Sequence, residues 1–199
     1  MPSTTRTPSE GKPLRLFVAI DLPEDVKGWL DEVMASFRRP VPGVRWTRVE
    51  GWHATLKFLG RTPPGILEDV RIAVASVAAR TRAFETSLTA VGAFPTPRRA
   101  RVLWVGLADE ERRLARISKS LDEALAPRFV AEKREPKPHL TLARLDPPRD
   151  VRELIPSVLK ARTHSASFPV DRLILYTSHL SPRGGSYEAL DRSSLGPRG

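Results

Sequence analysis

The chain states one short pattern twice, His53-Ala54-Thr55-Leu56 and His139-Leu140-Thr141-Leu142. Two of its four histidines precede x-Thr-Leu, and each copy lies in an alternating run, residues 52–59 and 138–145, that reads as a strand. Residues i and i+2 of a strand share a face, so each histidine stands beside its threonine while the leucines turn to a core. The repeat continues downstream. Pro63-Pro64, a helical pattern and a strand opening at Phe84 follow the first copy; Pro147-Pro148, a helical pattern and a strand opening at Phe168 follow the second, at one offset. This self-similarity predicts two half-domains on one plan, related by a pseudo-twofold axis, with their His-x-Thr faces turned towards each other.

The other elements fit around these strands. Leu14 to Ile20 is a nearly continuous apolar run that reads as a buried strand, and Asp21-Leu22-Pro23 starts a helix. That helix carries Val26, Trp29, Leu30, Val33, Met34 and Phe37 on one stripe and stops before Pro40. Val44 to Thr47 reads as a short strand. A helix from Pro64 places Ile66, Leu67, Val70, Val74 and Val77 inward. Phe84 to Val91 and Arg101 to Leu107 read as neighbouring strands joined by a proline-stiffened basic loop, and Asp109 caps a helix with Leu114, Ile117, Leu121 and Leu125 inward. A fourth helix is predicted over residues 151–161, then a strand run from Phe168 to Leu180, a turn at Gly184-Gly185 and a last strand from Ser186 to Leu190. The predicted organisation is a flexible leader over 1–13, one bilobal domain over 14–192 and a flexible tail over 193–199.

Composition excludes several chemistries. The 199 residues are 40% apolar, enough to bury a core. With no cysteine there is no disulfide, thiolate metal site or cysteine nucleophile. No apolar run approaches membrane-spanning length, so a cytoplasmic protein without a membrane partner is expected, as a monomer. The net charge of +10 suits a polyanionic partner, and equally an arginine-rich surface that is merely solvated. His164 and His179 lie outside the motif and read as surface residues.

Two facing imidazoles can take a proton from one oxygen and give one to another near neutral pH, and two adjacent hydroxyls can hold the non-bridging oxygens of a phosphoryl group. Metal binding fits less well. Neither motif has a second histidine or a carboxylate at i±2 or i+4, so no metal or other cofactor is expected. A serine triad lacks its Gly-x-Ser-x-Gly elbow. A histidine hydrogen-bonded inside a sheet is the ordinary structural reading for a lone residue, but it does not explain a matched pair.

The sequence resembles the 2H phosphoesterase superfamily, in particular its RNA 2′,3′-cyclic phosphodiesterase (2′-5′ RNA ligase-like) branch. The resemblance rests on residues 15–23, residues 53–60, Phe94-Pro95, residues 102–106, residues 138–144 and Leu175-Tyr176 with Ser178. It implies an α+β, bilobal, duplicated fold with two antiparallel sheets lining a central cleft and helices on the outer faces. It also implies hydrolysis of RNA terminal 2′,3′-cyclic phosphates, or of small cyclic nucleotides, to 2′-phosphates, with reversible 2′-5′ joining in some members. Under it His53 and His139 are catalytic, His139 accepting and His53 donating a proton, while Thr55, Thr141 and Arg144 bind substrate. Sequence neighbours lean the same way: Lys137 and Arg144 flank His139, while only Lys57 lies near His53. The basic groups Arg98, Arg99, Arg101, Lys133, Arg134 and Lys137 are candidate RNA contacts. Ala54 departs from the larger apolar residue of many relatives. A non-catalytic RNA-end-binding module is the remaining alternative, one that a damaged motif would favour, and both motifs are intact.

Overall fold

The computed structural model describes residues 11–35, 38, 43–126, 128–131, 137–153, 167–181 and 184–198. A strand that is apolar along its length is stable only with both faces covered. β1 (Leu14–Asp21), with Leu16 to Ile20 all buried, accordingly lies inside the sheet. It is followed by α1 (Glu24–Ala35), β2 (Val44–Trp46), β3 (His53–Thr62), α2 (Leu67–Ala79), β4 (Phe84–Thr86), β5 (Leu88–Phe94) and β6 (Ala100–Leu107). Then come α3 (Arg113–Leu125), β7 (His139–Arg149), β8 (Phe168–Val170), β9 (Arg172–Ser181) and β10 (Gly184–Ser194).

The main sheet runs β10-β9-β1-β3-β7-β6-β5, with β2 on β7, and is antiparallel throughout. It consists of two wings. β10-β9-β1-β3 and β7-β6-β5 meet at a single backbone pair, Ala54 with Leu140. These are equivalent positions of the two motif copies, so the pseudo-twofold axis passes between them. A second sheet gives the same result: β4 pairs with β8, with Glu85 opposite Pro169. Those residues stand one place after Phe84 and Phe168, the repeat's other landmarks. The expected duplicated α+β architecture is therefore built so that each half meets its mate at equivalent residues. α2 and α3 pack on each other, α2 against β9 and β10 and α3 against β3. Their apolar residues, Val70, Val74, Val77, Leu114, Ile117, Leu121 and Leu125, join Ala54, Leu56, Leu140 and Leu142 in one core, leaving the opposite sheet face to the histidines. Asp109 caps α3 as expected, accepting hydrogen bonds from the Leu114 and Ala115 amides at 2.8 and 3.0 Å.

Three expectations change. The runs Phe84 to Val91 and Phe168 to Leu180 are each two strands, because the chain changes sheets at Asp171 and at Ser87, whose carbonyl accepts from Ala108 N–H beside the Thr86 hydroxyl bond to the Ala108 carbonyl. The tail expected over 193–199 is tied down through residue 198. Ser193 and Leu195 are buried, Gly196 exchanges hydrogen bonds with Thr81 and Ala83, and Arg198 pairs with Glu85. β7 runs on to Arg149, past both prolines. Residues 1–10 of the leader and residues 154–161 of the expected fourth helix lie outside the described residues, as does His164. His179 is exposed beside Glu188. No helix among the described residues is long and apolar enough to cross a membrane.

Both motif strands carry one extra residue at the same place. Against β1, Thr55 faces Ala19 but Lys57 faces Val18, leaving Leu56 unmatched. Against β6, Thr141 faces Trp104 but Ala143 faces Leu103, leaving Leu142 unmatched. Such a bulge shifts the alternation by one. Leu56 and Lys57 are both buried, and Phe58 emerges on the histidine face. Lys57 thus sends its ammonium into the protein, where it pairs with Asp122 of α3 and donates to the Val130 carbonyl at 2.8 Å. Asp122→Ala should strand that ammonium and cost about 3–5 kcal/mol, read as a lower urea midpoint, while Lys57→Met with Asp122→Leu should regain most of the loss. An unchanged midpoint in Asp122→Ala would show that α3 does not depend on this pair.

Candidate active site

Extending the register from the Ala54–Leu140 pair places His53 opposite Thr141 and Thr55 opposite His139, all on the face away from the helices. Each of the four is half-buried. Facing residues of antiparallel strands lie roughly 5 Å apart, so one backbone pair gathers two imidazoles and two hydroxyls into a small rectangle. Each ring meets a backbone carbonyl. His139 Nδ1 donates to the Lys137 carbonyl at 2.6 Å, and His53 is held by the Gly51 carbonyl, in both cases the residue two places upstream. A neutral ring anchored through Nδ1–H keeps the lone pair on Nε2, and the same ring when protonated offers an Nε2–H. The arrangement can therefore accept a proton at one ring and donate one from the other.

Aromatic residues set both rings. His53 lies against Phe17, Tyr176 and Tyr187, with ring centroids 4.7, 5.6 and 4.7 Å away. His139 lies edge-on to Phe94 at 5.0 Å and beside Trp104 at 6.0 Å. Trp104 covers Gly92 so closely that a Cβ there would come within 2.2 Å of the indole. Only glycine lets the ring lie flat at that point.

Charge distinguishes the two histidines. Across the neighbouring strand His53 faces Asp21, whereas His139 faces Gly106. Asp21 pairs with the buried ammonium of Lys27 at 3.0 Å and accepts a hydrogen bond from Tyr176. Burial and then Asp21 push the Tyr176 phenol up to about 12. Burial lowers His53 to about 4 from its ordinary 6.5; Asp21 opposes this, while Lys27 and Arg144 add to it. Burial also lowers His139, the Lys137 carbonyl opposing and Arg144 assisting. Lys57, expected from its place in the sequence to be the cation nearest His53, does not hold that position. The bulge turns Lys57 to Asp122, and the cation beside His53 is Lys27, from α1.

The bulge also explains Arg144. An odd offset from His139 would ordinarily face the core, but after the unmatched Leu142 the side chain at that offset is exposed on the histidine face, within electrostatic reach of both rings. Its counterpart in the other half is Phe58, 67% exposed. Arg98, Arg99 and Arg101 are exposed at the end of β6 remote from the Gly106–His139 pair, roughly 17 Å along the strand at about 3.3 Å per residue. The structure does not bring them to the histidines. Lys137 is exposed and contributes its carbonyl. Lys133 and Arg134 lie outside the described residues. Asp21, Lys27, Tyr187 and Arg45 were not singled out from the sequence. Asp21 ends the first strand run in the sequence, and only the pairing of that strand with β3 brings it to His53. A separate cavity of about 570 Å³, lined by Phe84, Glu85, Asp109, Arg113 and Arg198 among others, shares no residue with this group.

The family model of the 2′-5′ RNA ligase superfamily matches residues 23–181. The chain is 34% identical over 189 residues to the RNA 2′,3′-cyclic phosphodiesterase of Thermus thermophilus, spanning 92% of this chain and 90% of that one. It is 29% identical over 178 residues to the protein of the same name from Methanocaldococcus jannaschii, spanning 89% and 98%. Among solved structures, a Thermus thermophilus protein superposes with a TM-score of 0.76 at 28% identity, over 92% of this chain and 98% of that one. Escherichia coli LigT complexed with 3′-AMP superposes with a TM-score of 0.70 at 25% identity, over 93% and 99%. The duplicated His-x-Thr strands, joined at one equivalent pair, thus sit in a chain matched along most of its length, and the protein belongs to the 2′-5′ RNA ligase superfamily, the 2H phosphoesterases.

Proposed function

We propose that the protein hydrolyses the terminal 2′,3′-cyclic phosphate of RNA to a 2′-phosphate, without a metal ion. The observation that carries this reading is the pair of imidazoles, each held by a backbone carbonyl two residues upstream, on one face with two threonine hydroxyls. Relatives named RNA 2′,3′-cyclic phosphodiesterase supply the substrate class. Water attacks phosphorus and loses its proton to His139 Nε2; the bond to the 3′ oxygen breaks, and that oxygen takes the Nε2 proton of His53. The product is a 2′-phosphate with a free 3′ hydroxyl. Thr55, Thr141 and Arg144 hold the non-bridging oxygens as charge grows on them. The donor role goes to His53 because it alone has a carboxylate, Asp21, across the strand to favour its imidazolium. In the free protein burial outweighs that carboxylate, and a bound phosphate anion acts in the same direction as Asp21. With an RNA 5′ hydroxyl in place of water as the entering group, the same two transfers in the same direction, the 5′ oxygen losing its proton to His139 and the 3′ oxygen taking one from His53, would join a 2′-5′ linkage, as the superfamily's name indicates.

Incubation with a nucleoside 2′,3′-cyclic phosphate in excess EDTA should convert its phosphorus NMR signal to that of the 2′-monophosphate. A 3′-monophosphate product, or activity that only added metal restores, would contradict the reading. The pH dependence follows from the lowered imidazoles. The base must be neutral and the acid protonated, and both groups sit below 6.5, so kcat/KM should peak below pH 6.5 and fall about tenfold per unit above it. A plateau from there to pH 8 would place the essential acid elsewhere. Replacing either histidine by alanine should cost roughly 10²–10⁴-fold. A phosphodiester with a nitrophenolate leaving group, which departs unprotonated, should rescue His53→Ala selectively; rescue of His139→Ala instead would reverse the roles.

A further inference from the structure

The short strand β2 places a second arginine beside Arg144. In the β2–β7 ladder Arg45 is the direct partner of Arg144, and directly paired residues of an antiparallel ladder share a face. Val44 and Trp46, on either side, pack against the core, which leaves Arg45 exposed on the histidine face. Among the described residues neither guanidinium has an ion pair or hydrogen bond to a carboxylate. Like charges set opposite each other destabilise a sheet, so this pairing costs stability until an anion lies between or along them.

The other half of the repeat lacks this feature. Phe58, an exposed apolar residue, stands where Arg144 would be. One end of the cleft therefore carries two arginines where the other carries Phe58, although both are built on one plan. A mononucleotide has one phosphate to offer the cationic end, whereas an RNA 3′ terminus has a second, on the strand leading to its last nucleotide. Arg144, on the strand that bears His139 and near both rings, is placed for the reacting phosphate. Arg45 is one strand further out.

Resting on the reading of a cyclic phosphodiesterase, we propose that Arg45 binds the internucleotide phosphate preceding the terminal nucleotide, so that the RNA strand leaves the cleft across β2 and the enzyme favours oligonucleotide ends over free cyclic nucleotides. Arg45 is a specificity residue on this account, with no part in the proton transfers.

The test compares wild type, Arg45→Gln and Arg45→Glu on a nucleoside 2′,3′-cyclic phosphate and on an RNA oligomer ending in a 2′,3′-cyclic phosphate. For Arg45→Gln, KM for the oligomer should rise about tenfold, the scale of one charge-assisted hydrogen bond, with kcat unchanged. The salt dependence of that KM should weaken by about 0.7 in log–log slope, the loss of one single-strand phosphate contact. Arg45→Glu should deepen the oligomer defect, and both variants should turn over the nucleoside substrate as wild type does, which also shows that they fold. Equal losses on both substrates would assign Arg45 to the reacting phosphate and overturn the proposal, as would no loss on either. A wild type that hydrolyses neither substrate would instead remove the cyclic phosphodiesterase reading itself.

Discussion

One backbone pairing, Ala54 with Leu140, holds the two wings of the sheet in register. Because the paired residues are equivalents in the repeat, fixing them also fixes where every neighbour meets its mate: His53 across from Thr141, Thr55 across from His139. A slip of one residue would turn one wing's histidine and threonine into the core. The side chains at the junction suit this role. Ala54 is fully buried with Leu140, and a methyl opposite an isobutyl group lets two wings that share only one pair approach closely. Ala54 therefore lies at the axis itself.

Symmetry builds the site, and departures from it give the two ends different chemistry. The shared elements are the strand bulges after Thr55 and Thr141 and the backbone carbonyl two residues before each histidine that holds its ring. The departures are few. Asp21, with Lys27 behind it, faces one histidine where glycine faces the other, and Arg144 stands where the other half has Phe58. A duplicated scaffold places two identical rings at one locus, and single substitutions around each then bias which one holds a proton.

Much of this was legible in the sequence because the histidine motif, the strand alternation and the downstream landmarks all repeat. The strands of both motifs and the three helical stripes follow from periodicity, and the pairing of the strands on either side of the basic loop from their succession in the chain. What was not legible depends on register. Nothing in the residues 84–91 marks the change of sheet at Ser87, and a bulge leaves no trace in composition. Lys57 consequently read as a neighbour of His53 when the bulge turns it to Asp122, and Arg144 came forward through family resemblance although its odd offset from His139 should face the core. Arg45 and Lys27 belong to other elements, and only tertiary pairing brings them to the site. The end of the chain read as a tail because Ser193, Ser194 and Gly196 are small and polar, yet they continue a strand and close on Thr81.

The most direct test of two carbonyl-anchored imidazoles sharing one face is to observe the ring nitrogens. With four histidines in the chain, ¹⁵N–¹H NMR of the side chains can be assigned by single His→Gln variants. Near neutral pH the free protein should show His53 and His139 as neutral rings protonated at Nδ1. Saturation with a nucleoside 2′-monophosphate should shift both resonances and raise the pH at which each ring titrates. An Nε2-protonated tautomer or a standing imidazolium at either residue in the free protein, or rings indifferent to the added phosphate, would contradict the account.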